Sequence, residues 1–175
     1  MANYDILTFL EYYADKSSVL NGSGKRLPTS AYQNFYQSAQ NLTADSAIDQ
    51  SFNFTYLAFD ASGFASAEAA SISDLTINLA ATASIIDLTD TAIGGDRLVI
   101  ASLYIQSIGQ ESFSNSASLV CRFTGTIDNA SVNDTTVTWT VSPAISKQKA
   151  QVPSRRISSD LMGRFVATWI IKFLL

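Results

Sequence analysis

The sequence predicts a mainly β fold, a β-barrel of split-barrel or sandwich-like form with one or two short α-helices. Three observations carry this. Polar and apolar residues alternate in FNFTY, LTINL and VTWTV, the period of a half-buried strand. These runs are separated by turn chemistry such as NGSG, IGG and DNASVND. One stretch, AATASIIDLTDTA, interrupts the strands with a helix-compatible pattern.

Taken in order, DILTFLEYYADKSSVL places Ile6, Phe9, Leu10 and Tyr13 at helical spacing, with Asp5 as a candidate N-cap and NGSG as a stop. This predicts a helix, and its aromatic and β-branched content keeps a strand open as the alternative. Residues 21–30 read as turns, and residues 30–47 as a short helix or an ordered connection. QSFNFTYLAFDASGF is the first firm strand, with Phe52, Phe54 and Tyr56 on one face. SDLTINL follows with Leu75, Ile77 and Leu79 inward, and then the inserted helix ending at IGGD. RLVIASLYIQSIG and SASLVCRFTGTIDN are two further strands, and DNASVND supplies hairpin residues. TTVTWTV sets Val137, Trp139 and Val141 against threonines. The expected core is therefore Phe52, Phe54, Tyr56, Leu75, Ile77, Leu79, Val137, Trp139 and Val141.

At 175 residues the chain has the size of one domain with a real core. It is read as a single unit, 1–175, with a helical or loop segment over 1–48 and a basic arm over 143–175. No repeat divides it. Charged residues make up only 15% of the chain, so its surface must be largely Ser, Thr, Asn and Gln or be covered by neighbours.

Charge is unevenly placed. Residues 1–136 hold 14 acids and 5 bases, a net of −9, whereas residues 137–175 hold 1 acid and 6 bases, a net of +5. No aromatic residue interleaves with Lys147, Lys149, Arg155 and Arg156, and the acidic remainder repels polyanions, which disfavours nucleic acid as the partner. Docking on the acidic face of a neighbour is the simpler use, with Pro143 and Pro153 stiffening the arm.

The sequence excludes several chemistries. With no histidine, Ser-His-Asp, Cys-His and histidine–metal sites are impossible. Cys121 is the only cysteine, so no internal disulfide and no cysteine-ligated metal can form, and it reads as a small buried residue on a strand. Asp87, Asp90 and Asp96 cluster beside the inserted helix, where capping and solvated charge explain them better than a carboxylate pair for glycoside hydrolysis. The adjacent glycines of IGGDR precede a strand and read as a turn rather than a phosphate cradle. Ser154 near Lys147 or Lys149 lacks the burial that would lower a lysine pKa. Neither an enzyme nor a cofactor is expected.

The opening MANYDILTF lacks a basic region before an apolar run, so no secretory signal is expected, and the five Asn-x-Ser/Thr sequons at Asn21, Asn41, Asn53, Asn129 and Asn133 follow from composition. FVATWIIKFLL, residues 165–175, is about half the length of a bilayer span and is interrupted by Lys172, so it reads as a buried strand or docking segment, not a membrane anchor. Trp139, Trp169 and the many Phe and Tyr residues leave a carbohydrate platform open, although most sit at alternating strand positions where packing accounts for them.

The segment order FNFTYLAFDASGF, SISDLTINLAATASIIDLTDTAIGGDRLVIASLYIQ, SLVCRFTGTIDNASVNDTTVTWTVSP and VPSRRI resembles the lambda-like minor tail protein L group of tailed phages and related baseplate hub proteins. The match covers about residues 50–158 and is one of pattern. Members of that group often continue into a cysteine cluster binding an iron–sulfur centre, whereas this chain has only Cys121. The resemblance implies a structural virion protein, assembled in the host bacterial cytoplasm. It implies a place in the ring-shaped hub at the distal end of the tail, joining tail tube to fibre, spike or baseplate proteins. The partners implied are further copies of the chain in a three- or six-fold ring and other tail proteins, with no membrane, and DNA only through the ring lumen. Lys147, Lys149, Arg155 and Arg156 would then form the inter-subunit or partner-docking arm. The alternative of another class is a β-sandwich adhesin or carbohydrate-binding module.

Overall fold

The computed structural model describes residues 4–15, 19–64, 74–92 and 97–143. These residues form nine strands and one helix: β1 Tyr4–Tyr13, β2 Ser30–Gln33, β3 Gln40–Asn41, β4 Asn53–Tyr56, β5 Phe59–Ser62, β6 Leu75–Ala80, α1 Ala83–Ala92, β7 Leu98–Ser107, β8 Ser118–Val132 and β9 Thr136–Pro143. The mainly β class is as expected, with one helix among the described residues.

The strands make one mixed sheet in the order β3-β4-β2-β1-β7-β8-β9-β6-β5, antiparallel except for the β2/β4 pair. Only Leu57 and Ala58 separate β4, second from one edge, from β5 at the opposite edge. Two residues span less than about 11 Å, so the sheet has to curl until its ends approach. Hydrogen bonds from Leu57 N–H to the Gln33 carbonyl, 2.9 Å, and from Asn34 Nδ2 to the Phe59 carbonyl, 3.3 Å, tie the ends together. The edge strands β3 and β5 do not pair, so the sheet is not closed and its form is sandwich-like.

The helix expected near the start is strand β1, and Asp5 lies within it rather than capping anything. β1 pairs with β7 along all ten residues, Tyr4 opposite Ser107 through Tyr13 opposite Leu98. Both its faces are covered: Leu10 and Tyr12 enter one core cluster, Leu7 and Phe9 another. A strand buried on both sides loses its polar alternation and reads as a continuous apolar run, in which helical spacing appears by coincidence.

The larger cluster fills the curl. Leu10, Tyr12, Val99 and Ala101 meet Leu75, Ile77, Leu79, Val137, Trp139 and Val141 across it, and Ile85 and Ala92 of α1 close the side. Thr82 caps α1 from just outside it: its hydroxyl and carbonyl both accept from Ile85 N–H, the bond expected of an N-cap. The smaller cluster lies on the outer face of β1 and β7 and is roofed by residues 31–54 and Phe113. Its centre is Phe9, edge-to-face with Phe54 at 5.1 Å, Tyr104 at 5.6 Å and Phe113 at 4.8 Å.

Most of the expected core holds: Phe54, Leu75, Ile77, Leu79, Val137, Trp139 and Val141 are buried. Tyr56 is 38% exposed and Phe52 only half-buried, a correction to the single face expected of them. The cause is the brevity of the neighbour: β3 covers Asn53 and Phe54 and stops, and the chain bends after Tyr56 so that one expected strand becomes β4 and β5. The hairpin turn falls at the end of the expected stretch, 128–134. β8 runs to Val132, and Asn133 Oδ1 makes the turn by accepting from the N–H groups of Thr135, 3.1 Å, and Thr136, 2.7 Å.

β8 changes partner along its length, pairing with β7 through Ser118–Thr126 and with β9 through Gly125–Val132. Gly125 sits at the changeover. A Cβ there would collide with the Ser142 carbonyl and lie 2.8 Å from the Phe123 ring and 2.9 Å from Val141.

Candidate functional site

Three local features orient Glu11, Arg26 and Arg122 toward Asp45, which lies in the roof of the smaller cluster. Alternation in β1 turns Glu11 to the same face as Phe9, where it is fully buried. The Asn21 side chain accepts from the N–H groups of Ser23 and Lys25, and Gly24, at φ 72°, completes a tight turn that delivers Arg26 inward. In β8, Arg122 faces Ser102 of β7.

Arg26 reaches Glu11 with Nε at 2.9 Å and with a terminal nitrogen at 3.0 Å, and the same nitrogen reaches Asp45 at 2.6 Å. Arg122 donates to Asp45, to Ser102 Oγ at 3.0 Å and to the Tyr104 hydroxyl at 3.2 Å. Tyr13 donates its hydroxyl to Glu11 at 2.5 Å. Two guanidiniums and two carboxylates therefore neutralise one another where the 19–52 segment meets β1 and β8.

Electrostatics match the geometry. Burial would weaken Arg26's hold on its proton, but the hydrogen bonds and charge of Glu11 and Asp45 outweigh it and hold the pKa above the ordinary value. Burial likewise pushes Asp45 upward, and it is overcome by Arg26, the Ala47 N–H and Arg122, leaving Asp45 below the usual carboxylate range. Tyr13 is driven up by burial and then by the Glu11 charge. Every carboxylate in the network is engaged with a cation, so none is free to act as a base, and the arrangement suits clamping a loop rather than catalysis.

The clamp decides what charge remains outside. The described residues contain twelve acids and four bases, and two of each are in the network, leaving ten acids against Lys25 and Arg97. Asp87 and Asp90 are exposed on α1, and Asp96 lies outside the described residues. Among the described residues no group of three or more acids or cysteines is placed to hold a metal ion, and no helix is long and apolar enough to cross a membrane.

Trp139 is fully enclosed, its indole N–H bonded to Thr89, so it is no part of a sugar platform. Cys121 is half-buried on β8, with burial raising its thiol pKa. Lys147, Lys149, Ser154, Arg155, Arg156 and Trp169 lie outside the described residues. The network residues Glu11, Arg26, Asp45 and Arg122 were not singled out from the sequence. The signal available was Glu11, a lone charge inside an apolar run, which has to find a buried partner.

No protein-family model matches the chain, and no curated protein matches it.

Proposed function

We propose that the protein is a non-enzymatic structural subunit of a tailed-phage tail tip or baseplate hub, assembling with copies of itself and with other tail proteins. The phage assignment rests on the resemblance in segment order, and the assembly reading on one observation about charge. Arg26 and Arg122 are paired with Glu11 and Asp45, so the remaining charge on the described β body is acidic, ten acids against two bases among the described residues. Residues 144–175 carry six bases and one acid. In a head-to-tail ring, the basic part of each subunit meets the acidic face of the next, and every subunit uses both at once.

The experiment replaces Lys147, Lys149, Arg155 and Arg156 with Gln. Exposed pairs contribute only about 0–1 kcal/mol each, so several have to act together, and assembly should weaken in the variant and in wild type at high salt. Light scattering and negative-stain electron microscopy read the outcome. Rings of wild-type size and strength from the quadruple variant at low salt would sink this use of the arm.

A further inference from the structure

β8 is half-clad. Ser118–Thr124 pairs with β7 on one side, but β9 reaches only to Pro143, opposite Gly125, so among the described residues the other side of this stretch has no strand against it. Alternate N–H and C=O groups of seven residues face outward there, an edge that templates strand addition. Val120 is the extra residue of a bulge, since Leu119 opposes Tyr104 and Cys121 opposes Leu103, and it is 54% exposed.

The sheet face next to this edge is apolar. Pairing sets Cys121 beside Leu103, Phe123 beside Ala101 and Ile6 beside Ile105, on the face that further along enters the main core. Here the cover runs out: Leu103, Ile105, Cys121 and Phe123 are half-buried and Ile6 is 61% exposed. An apolar strip flanked by an unpaired edge calls for an apolar strand.

We propose that residues 165–175 of the same chain, FVATWIIKFLL, add to β8 along Ser118–Thr124 and lay alternate apolar side chains over Phe123, Cys121 and Leu103. The chain leaves β9 at Pro143, at the mouth of the gap, and the residues between Pro143 and Phe165 give ample reach to enter it in either direction. Eleven residues exceed the seven to be matched, and only Lys172 among them is charged. Simple continuation of β9 fits less well, because the register of Pro143 opposite Gly125 would set Lys147 opposite Cys121, a charge against the strip. This inference does not depend on the phage assignment.

Cys121 is the sole thiol and lies in the strip, so it reports the docking directly. In the full chain it should react with a maleimide roughly tenfold or more slowly than in a chain ending at Arg164, whose fold is checked by circular dichroism and thermal unfolding. Independently, Ala167→Cys, Trp169→Cys and Ile171→Cys are each made in the full chain and mildly oxidised. At least one should form a disulfide with Cys121 within a single chain, seen by intact mass and a faster band on a non-reducing gel. Equal Cys121 rates in two folded chains overturns the proposal, as does the absence of an intrachain disulfide at all three positions. Should the shortened chain fail to fold, the disulfides decide alone. Cross-linking between chains only would assign the edge to a neighbouring copy and overturn the intrachain docking.

Discussion

The indole N–H of Trp139 donates to the Thr89 hydroxyl at 2.9 Å, and that hydroxyl donates to the Ile85 carbonyl at 2.7 Å. Strand β9 is thereby joined to α1 by a relay with no donor left over. Thr89 and Trp139 are both fully buried, so the relay has no water to fall back on.

Thr89→Val keeps the volume and removes the acceptor, leaving the indole N–H unpaired. The expected cost is about 1–3 kcal/mol in urea unfolding. Trp139→Ala should cost about 3–5 kcal/mol, and adding Thr89→Val to it should cost much less than in wild type. Full additivity of the two would show that the hydrogen bond contributes nothing.

Removing Arg26 strands Glu11, which has no solvent to turn to. Arg26→Met is expected to destabilise the fold by about 3–5 kcal/mol, and Glu11→Gln combined with it should recover a substantial part. Chemical denaturation of the four members of the cycle measures this. Equal stability of Arg26→Met and wild type would mean that the clamp is dispensable.

The pH dependence has a definite sign at each end. Asp45 is held below its ordinary pKa, so it contributes stability that is present above the unfolded carboxylate value of about 3.9 and is lost as pH falls toward the lowered folded value. Asp45→Asn should flatten the acid limb of a stability–pH curve. Tyr13 is held above its ordinary value, so its contribution is present below about pH 10 and is lost as pH rises beyond it. Tyr13→Phe should flatten the alkaline limb, and a curve that keeps its wild-type slope there contradicts the Tyr13–Glu11 coupling.

Gly125 leaves no room for a side chain where β8 passes from β7 to β9. Gly125→Ala forces the Ser142 carbonyl away and is expected to cost roughly 1–3 kcal/mol. A melting temperature unchanged from wild type would show that the crossing is slack.

Much of the fold was legible in the residues. Leu75, Ile77 and Leu79, like Val137, Trp139 and Val141, alternate because one face of each strand is in the core and the other is not, and α1 announced itself between them as a break in that period. β1 was legible as apolar, with a helix preferred and a strand left open, because burial on both faces erases the alternation. The exposure of Tyr56 was hidden because it depends on where a two-residue neighbour ends.

The charge clamp shows most plainly where sequence stops. By itself the sequence determined that no histidine site and no internal disulfide can form, that the body is acidic and residues 137–175 basic, and that strands dominate, since these follow from composition and from patterns within a few residues. Only the tertiary structure decided that Arg26 is held against buried Glu11, that Arg122 is drawn to Asp45, and that β8 keeps a half-clad edge at Ser118–Thr124. Glu11 and Asp45 are 34 residues apart and Asp45 and Arg122 are 77 apart. Charges so far apart in the chain meet only because the curled sheet and its roof place them together, and a local pattern carries no record of that distance.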